Sequence, residues 1–313
     1  MSHPQDNAAG NDGIVRLNDW AMLRARGADA ATFLQGQLTQ DVVGMAIGEA
    51  RLSGYCSAKG RLLASFIVWR LQGDEFGLLC SGDVAGAMVK RLSMYVLRSR
   101  CRIDDASAEW SVYGLAGPSP QRWCGGGDRP WQARQLGDAW WIALPTAEQV
   151  PRWLLVQPTQ ADLPDLPALS EAAWRALEVS SGVPRITAAT AEHFVPQMIN
   201  FELVGGVHFQ KGCYPGQEVV ARSQYRGTIK RRMHLFATNG SAQAGQEVFH
   251  SDDPAQPAGM IVNAADVSST GSRVLAEVKL SSLASGTLHL GQPHGPLLEP
   301  LPLPYPVPTT ADV

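Results

Sequence analysis

The first half of the chain alternates between strand-like and helix-like patterns of hydrophobic positions. Hydrophobic residues fill most of 62–71 and 76–80 with a turn-forming Gln-Gly-Asp between them, which predicts a β-hairpin. From Asp83, apolar residues recur at every third or fourth position, as in a helix with one buried face. Strands and helices are mixed without the regular alternation of a doubly wound sheet, so the pattern predicts an α+β fold. Further strands are predicted over 110–115, 139–144 and 153–156.

The pattern changes in the second half. A short helix is predicted after Ser170, which can cap it, and Gly182 ends it. Short strands separated by Gly, Ser, Asp and Pro then predict an all-β module, either a sandwich or a small barrel. Seven prolines in the sixteen residues 293–308 predict an extended tail. The short strands are predicted over 233–238, 247–250, 259–264, 273–280 and 287–290.

Composition restricts the class of protein. The 313 residues suggest two or three domains, and 45% hydrophobic with 18% charged residues is ordinary for a globular protein. A net charge of −3 argues against coating nucleic acid by bulk electrostatics. Neither a signal peptide in 1–13 nor a run of about 18 apolar residues is present, so we expect a cytoplasmic protein without a membrane span.

The cysteines and histidines give no pattern of a metal site or a disulfide framework. The five cysteines are an odd number and contain no C-x-x-C pair, and the histidines lack the spacing of metal ligands. We therefore expect free thiols, and no metal site built by this chain alone. The cysteines are at positions 56, 80, 101, 124 and 213.

The sequence from Lys211 to Glu218, KGCYPGQE, points to one functional thiol. Cys213 follows a glycine and precedes Tyr214-Pro215-Gly216, which favours an extended residue and then a reversal of the chain. The sequence therefore predicts Cys213 on a turn. Between 211 and 232, six basic residues face one acid, a surplus of five positive charges that favours the nucleophilic thiolate.

The same segment resembles the signature of the YgfZ family, the folate-binding relatives of the glycine-cleavage T-protein. The resemblance extends over most of 14–290, and KGCYPGQE is its specific part. Weaker parts of the match are LNDW at 17–20, FLQGQLT at 33–39, YCSAKGR at 55–61, FVPQMIN at 194–200, GGVHF at 205–209 and the Arg-Gly pair at 226–227.

The resemblance implies a three-domain ring around a central folate cavity, with an all-β, barrel-like C-terminal module. It implies a discontinuous folate-pocket domain of 14–55 with 165–231 and an α+β middle domain of 56–164. The β module is then expected at 232–292, and the proline-rich tail at 293–313.

The resemblance also implies which residues act. Cys213 is the functional thiol, with Lys211 beside it, and Trp20 and Trp174 match positions that line the folate pocket. An indole can stack on a pterin, although both tryptophans equally suit core packing. Gln217 and Glu218 can bind a pterin edge or hold the cysteine loop together. Arg222 and the basic residues after it can neutralise the glutamate of folate, although residues 230–232 equally suit the solvated start of a strand.

The implied function is that of a tetrahydrofolate-binding accessory protein in iron–sulfur cluster assembly or repair, on which enzymes that thiolate tRNA depend. The effect on tRNA is then indirect, and partner or client proteins supply the other ligands of a transient cluster, since one cysteine cannot hold it alone. In the T-protein a carboxylate follows the glycine-rich turn, whereas residues 59–66 here contain no Asp or Glu, which disfavours aminomethyl transfer. Two alternatives stay open, a folate-dependent one-carbon transferase and an RNA-binding regulator.

Overall fold

The structure is a computed structural model that describes residues 10–125, 129–226 and 229–308. Expectations for residues 1–9, for Gly227 and for 309–313 lie outside the described residues. The described chain divides into two compact units, each built from several segments. The first unit contains 10–34, 42–51 and 66–177, and the second contains 35–41, 52–65 and 178–308.

Strands dominate both units. The strands of the first part of the chain are β1 (Gly13–Arg16), β2 (Trp20–Arg26), β3 (Ala50–Cys56), β4 (Leu62–Gln72), β5 (Glu75–Ser81), β6 (Arg102–Asp105), β7 (Trp110–Ala116), β8 (Ala133–Leu136), β9 (Ala139–Ala147) and β10 (Val150–Pro158). Those of the C-terminal part are β11 (Arg231–Thr238), β12 (Glu247–His250), β13 (Asp253–Asp266), β14 (Ser272–Lys279), β15 (Leu288–Leu290) and β16 (Glu299–Leu301).

The helices are short, apart from one. They are α1 (Ala30–Gln35), α2 (Gly82–Val96), α3 (Pro118–Cys124), α4 (Glu171–Ser180) and α5 (Gln217–Tyr225), with 3-10 turns at Pro196–Ile199 and Leu280–Leu283. None of the described helices is long and apolar enough to span a membrane.

The first unit contains a five-stranded sheet in the order β1-β7-β10-β9-β8, and the strand pairs of this sheet are antiparallel. Trp141 and Trp153 on β9 and β10 are buried with Leu115 of β7, because alternate residues of a strand point to the same face. Helix α4 begins after Ser170, whose hydroxyl accepts the Ala173 amide at 3.1 Å, and this confirms the predicted cap.

The first unit also contains the predicted hairpin and helix. Strands β4 and β5 are antiparallel neighbours, with Ile67 opposite Leu79, and β2 and β6 continue the sheet beyond β5. Helix α2 follows at Gly82 and buries one face, which carries Val84, Met88 and Leu92. The hydrophobic periodicity therefore predicted both elements correctly.

The second unit contains a six-stranded sheet in the order β15-β12-β13-β14-β11-β16, and its strand pairs are antiparallel. The five predicted C-terminal strands correspond to β11–β15, which confirms the all-β module. Part of the proline-rich tail forms β16 and pairs with β11, with Pro300 opposite Phe236. The hydroxyl of Tyr305 then donates to the Gly182 carbonyl at 2.7 Å, so this part of the tail is held against the second unit.

Candidate functional site

Cys213 lies on an exposed loop of the second unit. Residues 211–216 form neither helix nor strand, and the Cys213 side chain is exposed to solvent, as the sequence predicted. Of the other cysteines, those at 56, 80 and 124 are buried and Cys101 is half-buried. Burial raises the pKa of Cys56 to about 12 and that of Cys101 to about 11, so both stay thiols at neutral pH. Cys213 is therefore the thiol that solvent reaches most easily.

Lys211 anchors one end of the Cys213 loop. Its Nζ donates to the Gln35 carbonyl and, at 2.6 Å, to the Leu38 carbonyl, and it lies 5.0 Å from the centre of the Tyr214 ring. Burial lowers the pKa of Lys211 to about 8, while Asp41 and Cys213 act in the opposite direction. Lys211 is thus close enough to Cys213 for their charges to interact.

Gly216 fixes the other end of the loop. Its φ of +77° is in the left-handed region, and an added Cβ would lie 2.4 Å from the Ser57 carbonyl oxygen. Gly60 meets the same segment, since its own Cβ would lie 2.7 Å from Cβ of Val219. The turn at 57–60 therefore packs directly against the start of α5, and only glycine fits at the contact.

Tyr214 forms the buried base of the loop. Burial, and to a smaller extent the neighbouring Cys56, raises the pKa of its hydroxyl. Because Tyr214 is buried next to an exposed Cys213, the loop presents the thiol outward from a fixed base. The Cys213 loop is thus fixed by Lys211 at one end, by Gly216 at the other end and by the buried Tyr214 between them.

Three other predicted residues follow on α5. Gln217 begins the helix, Glu218 lies in its first turn, where a negative charge is favourable, and Arg222 is exposed in its last turn. Their side chains make no hydrogen bond or ion pair with the residues that the structure describes. These polar groups are therefore free to bind a ligand.

In the structure, ion pairs neutralise part of the positive charge of residues 211–232. Arg231 forms an ion pair at 2.8 Å with Glu277, whose side chain is buried, and burial raises the pKa of this carboxyl. Arg232 forms an ion pair at 2.5 Å with Glu202, and both side chains are only 5% exposed. Sequence reasoning missed both acids, since they lie 30 and 46 residues away along the chain. Arg222, Arg226 and Lys230 are the exposed cations of this segment within the described residues.

The predicted tryptophans both belong to the first unit, in neighbouring segments. Arg175, which follows Trp174, is 3.6 Å from the carboxylate of Asp19, which precedes Trp20. Trp20 is half-buried, whereas Trp174 is fully buried. The Trp174 ring covers Gly114, where an added Cβ would be 2.5 Å from the indole, and the Arg152 guanidinium lies 5.4 Å from the ring centre. The buried Nε1 of Trp174 has no hydrogen-bond partner among the described residues.

No group of three or more His, Cys, Asp or Glu side chains suited to a metal ion occurs among the described residues. The Cys213 loop therefore offers one metal-ligating thiol, and a cluster bound there would need ligands from another protein.

The fold and the sequence were compared with known proteins. The chain superimposes on the glycine cleavage system aminomethyltransferase T of Bartonella henselae with a TM-score of 0.73, covering 95% of this chain and 88% of that one at 15% identity. Residues 10–123 match the GCVT N-terminal domain family. The chain therefore has the fold of the aminomethyltransferase T proteins.

Sequence relatives identify the family within this class. The chain is 34% identical over 246 residues to the "tRNA-modifying protein YgfZ" of Edwardsiella ictaluri, covering 74% of this chain and 72% of the relative. It is 32% identical to the protein of the same name from Photobacterium profundum, covering 76% and 73%. The chain belongs to the YgfZ family, as its cysteine motif predicted.

Replacing Lys211 with methionine should slow alkylation of Cys213 by iodoacetamide about fivefold at pH 7, because the variant removes a positive charge that interacts with Cys213. The difference should shrink as the pH rises above about 8, where the wild-type amine loses its proton. The rates are measured by mass spectrometry of the Cys213 peptide. Lys230→Met is the control, since Lys230 is exposed further along the chain, and equal rates for wild type and Lys211→Met would refute the interaction.

Proposed function

We propose that this chain is a tetrahydrofolate-binding accessory protein in the assembly or repair of iron–sulfur clusters, and that it supports tRNA modification in this way. Membership of the YgfZ family supports the connection with tRNA, since relatives carry the name of tRNA-modifying proteins. The observation that carries the proposal is the exposed Cys213 on a loop braced by Lys211 and Gly216. An exposed thiol that is held in one position is suited to transfer a cluster to a partner protein.

Cys213 contributes one thiolate to a transient cluster, or it attacks a disulfide of a partner and forms a mixed disulfide while the partner's other cysteine leaves as a thiolate. The described residues fit this partial role and not a resident cluster, because they contain no group of three or more side chains that could hold a metal ion. Assembly factors or client enzymes would supply the remaining ligands. Lys211 would hold the loop that carries the thiol in place until the partner binds.

Tetrahydrofolate would bind in a central cavity of a three-domain ring, with the domain boundaries that the sequence predicts. Trp20 is the indole that could stack on the pterin, since it is partly exposed. Trp174 would lie behind Trp20 in the wall of the pocket. Its Nε1 has no hydrogen-bond partner among the described residues, so it could donate to a ligand that gains access to this buried position. Gln217, Glu218 and Arg222 supply polar groups for the pterin edge and for the glutamate.

Aminomethyl transfer is disfavoured in this proposal. The turn at 57–60 continues into a segment without Asp or Glu, so a carboxylate to handle the proton at the folate nitrogen is lacking there. Folate would instead stabilise one conformation or exchange a carbon unit at the cavity. The protein would work in the cytoplasm, with an indirect effect on tRNA. A role in direct RNA binding has less support, because Arg231 and Arg232 are occupied by buried acids.

Tetrahydrofolate should quench the tryptophan fluorescence of the protein, and Trp20→Ala should weaken its binding about tenfold, or ~1.4 kcal/mol, through lost stacking and burial. Trp123→Phe is the matched control, since Trp123 is also a partly exposed tryptophan of the first unit. Absence of quenching would remove the folate proposal. Equal affinities of the Trp20→Ala and Trp123→Phe variants would remove Trp20 from the site.

A further inference from the structure

The first unit contains a groove that the proposed function does not use. The groove encloses about 600 Å³ at the end of α3. We call it the Trp123 groove. Its walls include Trp123, Leu136, Asp138, Gln157, Asp162 and Leu163.

The groove has an exposed aromatic and aliphatic surface. Trp123 is 46% exposed, Leu163 is 51% exposed and Leu136 is 37% exposed. Large apolar side chains that cluster at a surface depression are typical of sites where proteins bind partners. The groove is open to solvent, so it suits a segment of another protein better than a small molecule that needs an enclosed site.

Trp123 packs with one side against the core. Its ring lies 5.3 Å from that of the buried Trp141, and Trp141 lies 5.3 Å from Trp153. The three rings are tilted against one another by about 40° and form a row from the core to the groove. Because the contact with Trp141 restricts the Trp123 side chain before a ligand binds, less side-chain entropy is lost when a ligand packs on this indole.

Two carboxylates give the groove its charge. Asp138 lies in the turn between β8 and β9, and Asp162 lies on the loop after β10. Gln157 holds that loop in place, since its Nε2 donates to the Ala161 carbonyl at 3.2 Å. Neither carboxylate has an ion pair or a hydrogen bond with the described residues. Nη2 of Arg134 donates to the Cys124 carbonyl at 3.1 Å.

We infer that the Trp123 groove binds a segment of a partner protein in which an arginine is flanked by apolar residues. A guanidinium can stack on an indole and at the same time donate hydrogen bonds to a carboxylate, a combination that arginine satisfies best. The apolar neighbours of the arginine would pack on Leu136 and Leu163. This inference does not depend on folate binding or on Cys213.

The test is a titration followed by the indole NMR signals of the full chain, with the signal of Trp123 assigned from Trp123→Phe. The probes are the peptide acetyl-Leu-Arg-Leu-Gly-Arg-Leu-amide and its counterpart with neutral citrulline for each arginine. The arginine peptide should shift the Trp123 signal to saturation and bind about tenfold more tightly than the citrulline peptide. The double variant Asp138→Asn with Asp162→Asn should lose this preference, whereas Asp165→Asn, at an exposed acid that does not line the groove, should keep it.

Three results would overturn the inference. They are equal binding of the arginine and citrulline peptides, an unmoved Trp123 signal at millimolar peptide, and binding of N-acetyl-arginine amide as tight as that of the peptide. The last result would indicate a small cation as the ligand instead of a protein segment.

Discussion

Cells in which Cys213 is replaced by alanine should lose the support that, in our proposal, this protein gives to iron–sulfur enzymes that thiolate tRNA. The level of thiolated tRNA should fall to that of cells without the protein, because the accessible thiol of the loop would be gone. The folded structure should be unaffected, since the Cys213 side chain is exposed. The measurement is the fraction of thiolated nucleosides in hydrolysed tRNA.

Two further variants test whether this result is specific to the Cys213 thiol. Cys101→Ala removes another thiol that is only partly buried, and it should leave thiolation unchanged. Cys213→Ser keeps the size and polarity of the side chain, yet it should fail as Cys213→Ala does, since a hydroxyl is neither a thiolate nor a soft metal ligand. Full thiolation in cells carrying Cys213→Ala would show that the thiol has no role.

Arg232→Met should destabilise the second unit by about 3–5 kcal/mol, the largest effect on stability that we expect. The side chains of Arg232 and Glu202 are both 5% exposed, and Arg232 also donates to the Gln197 carbonyl at 2.9 Å. Removing the guanidinium would leave a buried carboxylate without its counter-charge. Burial already raises the pKa of Glu202, and Arg232 opposes this rise, so the pKa should rise further in the variant.

Urea denaturation measures the change in the free energy of unfolding. Arg226→Met is the control, because Arg226 is exposed and its loss should cost no more than about 0.5 kcal/mol. Adding Glu202→Met to Arg232→Met should recover much of the loss, since an apolar pair removes the buried charge. A loss below about 1 kcal/mol for Arg232→Met would contradict the assignment of a buried ion pair.

Local patterns predicted much of the fold. The hairpin of β4 and β5 and the helix α2 followed from hydrophobic spacing, which depends only on neighbours along the chain. The strands of the C-terminal module followed in the same way. Helix α5 was missed, because its nine residues follow a Pro-Gly turn and carry only a weak apolar stripe. The strand β16 was missed as well, since prolines hide the pairing of a short edge strand.

The sequence predicted only those features of the candidate site that depend on residues close together along the chain. The sequence placed Cys213 on a turn correctly, because its glycine and proline neighbours exclude regular structure. The contacts of Lys211 with the carbonyls of Gln35 and Leu38 span more than 170 residues, so no local pattern encodes them. The same holds for the acids that bind Arg231 and Arg232, which is why the sequence overstated the free positive charge.

The surroundings of Trp174 also could not be predicted from the sequence alone. Its spacing on α4 suited a buried face, while the family resemblance assigned it to a pocket. The structure places it against Gly114 with no exposed surface. Only the fold could supply the glycine that accepts the ring, since β7 and α4 are far apart along the chain. A role for Trp174 in a pocket therefore stays a prediction.

Calorimetric titration of the full chain with tetrahydrofolate tests the central claim most directly. We predict saturable binding at one site per chain, with the same affinity for the wild type and for Cys213→Ala, since the ligand and the thiol serve separate steps. Absence of heat of binding in both proteins, at tetrahydrofolate concentrations up to about 1 mM, would contradict the account.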